Sequence, residues 1–174
     1  MQAIEIEKLL DSPDSTVFQG TSGCYLPLDD DWGVKFFYCE SSRDYSYDQQ
    51  RYYETMRVAP LTGPKVKFTY QGEVHYGYIT EHCQCCDTAV MEYHHTEIED
   101  GRCEGCDYFD LTAGDEYDSF LMDNPEWGDK YFELKGRLES HNIRFNDDHA
   151  GNWGINHMGE PVIIDFDKSS SSRV

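Results

Sequence analysis

Residues 143–167 read IRFNDDHAGNWGINHMGEPVIIDFD, and within them six positions hold Asp147, Asp148, His149, Gly151 and Asn152 before an apolar run ends on Asp165 and Asp167. Asp, Asn and Gly are common turn formers, so density alone would describe a surface turn. The order of the groups says more. A carboxylate that can take a hydroxyl proton, an asparagine five residues on that can turn its carbonyl toward a cation, and a second carboxylate at the end of a β-rich run are the parts phosphoryl transfer needs: a base and oxygen ligands for Mg²⁺. Asp147 is the candidate base, and Asn152 and Asp165 are the candidate metal ligands. Gly151 lets the loop bend before Asn152.

Working outward, EWGDKYFELKGRLESHN upstream of the loop places Tyr131, Phe132, Leu134 and Leu138 on one helical face, closed near Asn142. Downstream, WGIN and PVIIDFD read as short strands about a turn at 157–159, and KSSSSRV as a hydrophilic tail. At the other end, IEIEKLLDS reads as a short helical or extended lead-in. STVFQGTSGCYLPLDDDWGVKFFYC reads as a two-stranded hairpin. SRDYSYDQQRYYETM reads as an amphipathic helix ending before Pro60, and PKVKFTYQG with EVHYGYITEH as a second hairpin about Gln71-Gly72.

The chain has 174 residues, enough for a core of its own, and carries 14 Lys and Arg against 34 Asp and Glu, a formal net charge of -20. That balance argues against a direct grip on nucleic-acid phosphates and favours a basic protein partner or divalent cations. A surface imitating nucleic acid is the other use such acidity has. No apolar run is long enough to span a bilayer and the first residues lack a signal-peptide pattern, so a cytoplasmic protein without membrane attachment is expected.

Residues 82–118 are rich in Cys, His, Asp and Glu and poor in aliphatics. Cys83 with Cys86 and Cys103 with Cys106 give C-x2-C, sixteen residues, C-x2-C, the spacing of a closed tetrahedral zinc site. A structural Zn²⁺ is expected to staple this segment.

DDHAGN at 147–152 resembles the catalytic loop D-x-H-x-G-N of the aminoglycoside and choline kinase branch of the protein-kinase-like superfamily, and IIDFD at 163–167 resembles its metal-binding strand end. The resemblance implies Asp147 as catalytic base, Asn152 and Asp165 as Mg²⁺ ligands, and His149 as a residue that shapes the loop. It extends upstream. FQGTSGC, with Gly20 and Gly23, is similar to the glycine-rich turn over the nucleotide phosphates, and GVKFF to the strand carrying the phosphate-binding lysine, here Lys35. The backbone around Glu81 to Cys83 would then meet the adenine of ATP.

Two departures stand out. The helix after Lys35 offers Gln49 or Gln50 where the family has a glutamate, with Glu54 and Asp48 as rivals. Only seven residues follow Asp167, so the usual substrate platform is expected to be missing, as in small phage-encoded kinase-like proteins.

The expected fold is therefore α+β, a minimal protein-kinase-like arrangement. It has an N-terminal antiparallel sheet with one helix at 1–81, a zinc-stapled insertion at 82–118, and a reduced C-terminal lobe at 119–174. The expected activity is ATP- and Mg²⁺-dependent phosphotransfer to a protein Ser or Thr hydroxyl. A small-molecule hydroxyl is the second choice, and a non-catalytic pseudokinase or acidic decoy that inhibits a partner is the alternative from another class.

Overall fold

The structure, a computed structural model, describes residues 3–12, 15–19, 23–97, 108–165 and 171–173. The chain divides into two units, Met1–His82 and Cys83–Val174. It is a mixed α and β protein, as its patterning predicts.

The first unit is a five-stranded antiparallel sheet with one helix on each face. Its strands are β1 (Phe18–Gln19), β2 (Cys24–Pro27), β3 (Trp32–Phe37), β4 (Thr62–Tyr70) and β5 (Glu73–Glu81), in the order β1-β2-β3-β5-β4. The segment read as one hairpin thus supplies three strands, because Phe18 and Gln19 add a short edge pair opposite Tyr25 and Cys24. The turn between β4 and β5 falls where expected. Gln71 (φ 52°) and Gly72 (φ 80°) are both left-handed between the paired Tyr70 and Glu73, the two-residue turn whose twist matches the strands.

Strand alternation then sorts the side chains. Leu26, Val34, Phe36, Phe68 and Ile79 form one face and pack with Ile6 and Leu10 of α1 (Ala3–Leu10). Glu7 of that helix also accepts the Thr69 amide at 2.7 Å, satisfying a donor on the edge strand β4.

The opposite face receives α2 (Glu40–Glu54), which buries Arg43, Ser46, Gln50 and Tyr53 at helical spacing. Here the contacts are polar. Tyr78 of β5 donates to the Gln50 side-chain carbonyl at 3.0 Å and lies 2.9 Å from the Ser46 hydroxyl, and the Gln50 amide donates to Thr80 at 2.7 Å. Gln50, at 1% exposure, has both ends of its amide satisfied.

The second unit is mainly helical. It contains α3 (Cys86–Glu97), α4 (Tyr108–Ala113), α5 (Asp115–Asp123) and α6 (Pro125–Ser140). Its strands are β6 (Gln84–Cys85), β7 (Ile143–Phe145), β8 (Trp153–Ile155), β9 (Pro161–Ile163) and β10 (Ser171–Arg173). β6, β8 and β9 form one antiparallel sheet, and β10 pairs with β7. Pro125 opens α6, and Asn142, left-handed at φ 56°, follows its end. In the turn after β8, the Asn156 side chain accepts from the Met158 and Glu160 amides.

The part of 82–118 that is described buries Val90, Leu111 and Tyr117, with Phe120 and Leu121 just beyond. Apolar and aromatic side chains thus give this part buried contacts although its composition is poor in aliphatics. On α6 the structure also departs from the expected face. Trp127, Leu134 and Leu138 are buried, while Phe132 is 72% exposed, because one residue step turns a side chain about 100° from its neighbour. Leu134→Ala is therefore expected to cost about 2–5 kcal/mol of unfolding free energy. Phe132→Ala should stay within about 0.5 kcal/mol of the parent. Chemical denaturation of the two variants checks the assignment.

Candidate functional site

The loop between β7 and β8 is built from its ends inward. Trp153, next to Asn152, is 0% exposed; its indole N–H donates to the Tyr117 hydroxyl at 2.7 Å, and the rings of Trp127 and Tyr131 pack on it at 5.5 and 5.9 Å. That anchor fixes where the loop must finish.

Inside the loop, the His149 amide donates to the Asp147 carbonyl at 3.2 Å and the Asn152 amide to the His149 carbonyl at 3.0 Å, forming a short 3-10 turn over Ala150–Asn152. His149 Nδ1 accepts the Gly151 amide at 3.1 Å, capping the turn. Asn152 is 3% exposed, and its Nδ2 donates to the Asp147 carbonyl at 2.9 Å. A buried amide without partners would cost about 1–3 kcal/mol, so this bond sets the side chain's orientation and leaves Oδ1 as its remaining acceptor.

The chain just before Asp165 is tied to this loop by backbone. The Ile164 amide donates to the Asn152 carbonyl at 2.9 Å, holding the residue after β9 beside the loop. Asp147, His149 and Asn152 are thus brought together by direct bonds, and Asp165 follows a residue tied to them. The Asp147 carboxylate is 44% exposed and lies 3.7 Å from His149 Nε2.

Asp148, which the sequence reading passed over, turns the other way. Its Oδ2 accepts from Tyr131 at 2.6 Å and from Lys135 at 2.6 Å, both on α6, while its Oδ1 is buried without a hydrogen-bond partner. Partial burial, then the Asp148 bond, pushes the Tyr131 hydroxyl up to about 12. For Lys135, partial burial works against the charge, but the Asp148 carboxylate outweighs it and the ammonium is held above its ordinary range. The sequence did carry a signal for this anchor: Tyr131 and Lys135 stand four apart on one helix face.

The other expected site residues divide between the units. Lys35 lies on β3 opposite Tyr25 on one side and Tyr78 on the other, on the α2 face of the sheet. No acidic residue is among the buried positions of α2. Of the rival partners for Lys35, Gln50 holds the inner position, Glu54 accepts the Thr62 amide at 3.1 Å, and Asp48 is exposed. Gly23 directly precedes β2, and Gly20 lies outside the described residues. Glu81 is buried at the end of β5, its amide donating to the Leu61 carbonyl and its carboxylate accepting the Leu61 amide.

Cys83 and Cys86 are buried in the second unit. Burial, then the charge of Asp87, pushes the Cys86 thiol far up, and Tyr117 hydrogen-bonds to it. Among the described residues no group of three or more His, Cys, Asp or Glu side chains is placed to hold a metal, and Cys83 and Cys86 are only half of the expected zinc staple. Cys103 and Cys106 lie outside the described residues. No helix among the described residues is long and apolar enough to cross a membrane.

No protein-family model matches the chain, and no curated protein does. A solved structure titled "Structure of the gentamicin-APH(2")-IIa complex" is similar over 98% of this chain and 70% of that one, at 11% identity and a TM-score of 0.34. A likeness that distant carries no weight for the site, which stands on its own geometry.

The cysteines give a direct check. Hydrogen bonds from Ser41 and Ser42 lower the exposed Cys39 thiol to about 7, whereas burial pushes Cys85 up to about 12. Alkylation followed by mass mapping should modify Cys39 first among the described cysteines, with a rate that rises to half its plateau near pH 7, because the thiolate is the nucleophile. Cys85 and Cys86 should stay unmodified in the folded protein at that pH.

Proposed function

We propose that the chain is an ATP- and Mg²⁺-dependent phosphotransferase of protein-kinase-like fold. The observation that carries this reading is the locked loop: Asn152 bound through Nδ2 to the Asp147 carbonyl, and through its own carbonyl to the Ile164 amide beside Asp165. A surface turn has no need to bury an asparagine and tie it to the end of a strand bearing a carboxylate.

In this reading Asp147 is the base. Its partly exposed carboxylate can accept the proton of an acceptor hydroxyl as that oxygen attacks the terminal phosphate. Asn152, through Oδ1, and Asp165, through its carboxylate, would hold Mg²⁺, and their all-oxygen donor set suits a hard cation. Bound with ATP, that ion supplies positive charge between the phosphates. Lys35 is assigned to the phosphates and His149 to the shape of the loop. Asp148 ties the loop to α6, so that Asp147 is presented while its neighbour is held. The acceptor proposed first is a Ser or Thr hydroxyl on a basic protein partner, which a chain of net charge -20 would attract.

One observation favours a second reading, a pseudokinase that binds nucleotide without transferring phosphate. The buried face of α2 offers Gln50, already committed to Tyr78 and Thr80, at the inner position where the resemblance would place a glutamate.

Two variants separate the readings. ATP with Mg²⁺ at about a hundredfold excess over its dissociation constant should stabilise the parent chain by about 2.7 kcal/mol. Asp165→Ala should lose most of that gain in a thermal-shift assay. Asp147→Asn should keep the shift but lose about 10²–10⁴-fold in phosphate transfer to a basic protein acceptor. Parent protein that shows the shift without transfer supports the pseudokinase, and parent protein without any shift removes both.

A further inference from the structure

The outward faces of α5 and α6 carry charge of one sign. The two helices are packed closely, since a Cβ on Gly128 would fall 2.5 Å from the Leu121 carbonyl oxygen and the Phe120 and Trp127 rings lie 6.2 Å apart. Away from that contact, the exposed positions between 115 and 140 hold seven carboxylates and no Lys or Arg. The cations of α6 are half-buried and engaged within the unit: Lys130 and Arg137 pair with Glu133, and Lys135 pairs with Asp148. Glu116 faces His94 and Asp123 accepts from Tyr93, while Asp115, Asp118, Glu126, Asp129 and Glu139 are turned to solvent.

The same faces present the two most exposed large apolar side chains among the described residues, Met122 at 75% and Phe132 at 72%. Each has an acid one helical turn before it, Asp118 for Met122 and Asp129 for Phe132, so each apolar side chain stands beside a carboxylate. Gly136 lies one turn beyond Phe132, is exposed, and would bring an added Cβ within 4 Å of nothing. Glycine weakens a helix interior relative to alanine, so the bare position carries a cost that no described neighbour explains.

Single apolar groups on a surface are ordinary, but here two project from a field of one sign, one of them beside a hollow. The complement of that surface is an amphipathic helix with apolar side chains along one stripe and Lys or Arg on its borders. A second copy is not that complement. A two-fold axis that sets Phe132 over the other copy's Gly136 also sets Asp129 against its Glu139, because both pairs are centred on residue 134. Nucleic acid, itself an anion, is repelled by the same field.

We propose that the outer surface of α5 and α6 docks an amphipathic basic helix of a protein partner. Met122 and Phe132 enter its apolar side, the bare Gly136 lets its backbone come close, and Asp118, Asp129 and Glu139 face its Lys or Arg side chains. The acidic field speeds the encounter and the apolar contacts hold the complex once formed. This goes beyond the phosphotransferase reading and does not depend on it, because the surface serves a kinase and a pseudokinase equally.

The probe is a fluorescein-labelled helical peptide of about 18 residues built from Leu and Lys, titrated with the full chain at about 0.15 M salt and followed by anisotropy. The parent should bind it, and the same peptide with Glu in place of Lys should not bind. Met122→Ser and Phe132→Ser should each weaken binding about tenfold. Gly136→Leu leaves every charge in place and suits a helix, so it should also weaken binding about tenfold while the thermal midpoint holds or rises. Asp118→Lys with Asp129→Lys should cost about tenfold or more and flatten the salt dependence. The same charge change at two exposed positions of the first unit, Asp30→Lys with Glu73→Lys, should stay within about threefold of the parent. If the first-unit pair weakens binding as much as the pair on α5 and α6, or if the Ser and Leu variants bind like the parent, general acidity holds the peptide and the docking surface is overturned. A parent chain that does not bind the Lys peptide, or that self-associates in sedimentation through Phe132, overturns it as well.

Discussion

Trp153 is wholly buried with its indole N–H bonded to Tyr117, and the loop before it has little freedom left. Asn152, its neighbour, is carried into the interior with it and must then find partners for a buried amide. Its side-chain Nδ2 donates to the Asp147 carbonyl, five residues earlier, while its backbone carbonyl accepts from the Ile164 amide. An apolar burial thus fixes a polar geometry. The loop's shape follows from where an indole can be hidden, and the position of the Asp147 backbone follows from how an asparagine can be satisfied.

Charge is arranged around that loop by the same economy. Of two adjacent carboxylates, Asp148 turns toward α6, where Lys135 and Tyr131 offset its partial burial, and Asp147 stays toward solvent beside His149. Adjacent like charges are separated by giving them different surroundings, one held against α6 and the other left toward solvent. In the first unit a comparable choice was made with neutral groups. Gln50 fills the buried position on α2 and bonds to Tyr78 and Thr80, at far less desolvation cost than a carboxylate there would carry.

Much of this was legible in the sequence where one short pattern decides one structure. Gln71-Gly72 between alternating runs specified its hairpin, and the amphipathic stretch before Pro60 specified α2. DDHAGN specified a capped turn that holds Asp147, His149 and Asn152 together. What was not legible depends on partners far apart in the chain. Whether Phe132 or Trp127 faces inward depends on what lies against α6. The surroundings of Cys86 include the hydroxyl of Tyr117, thirty-one residues on. The inner residue of α2 and the anchor for Asp148 are likewise tertiary facts, and in the described part of 82–118 aromatic rings supply burial that its few aliphatics do not.

The proposed phosphotransferase requires the loop and the strand end to gather oxygen atoms about one cation. Crystals grown with Mn²⁺ and a non-hydrolysable ATP analogue locate that cation directly by anomalous scattering. The expected result is a peak coordinated by Asn152 Oδ1 and the Asp165 carboxylate, at about 2.0–2.2 Å as octahedral Mg²⁺-type sites require. A fully occupied ion bound elsewhere, with Asn152 Oδ1 and Asp165 turned away from it, would contradict the account.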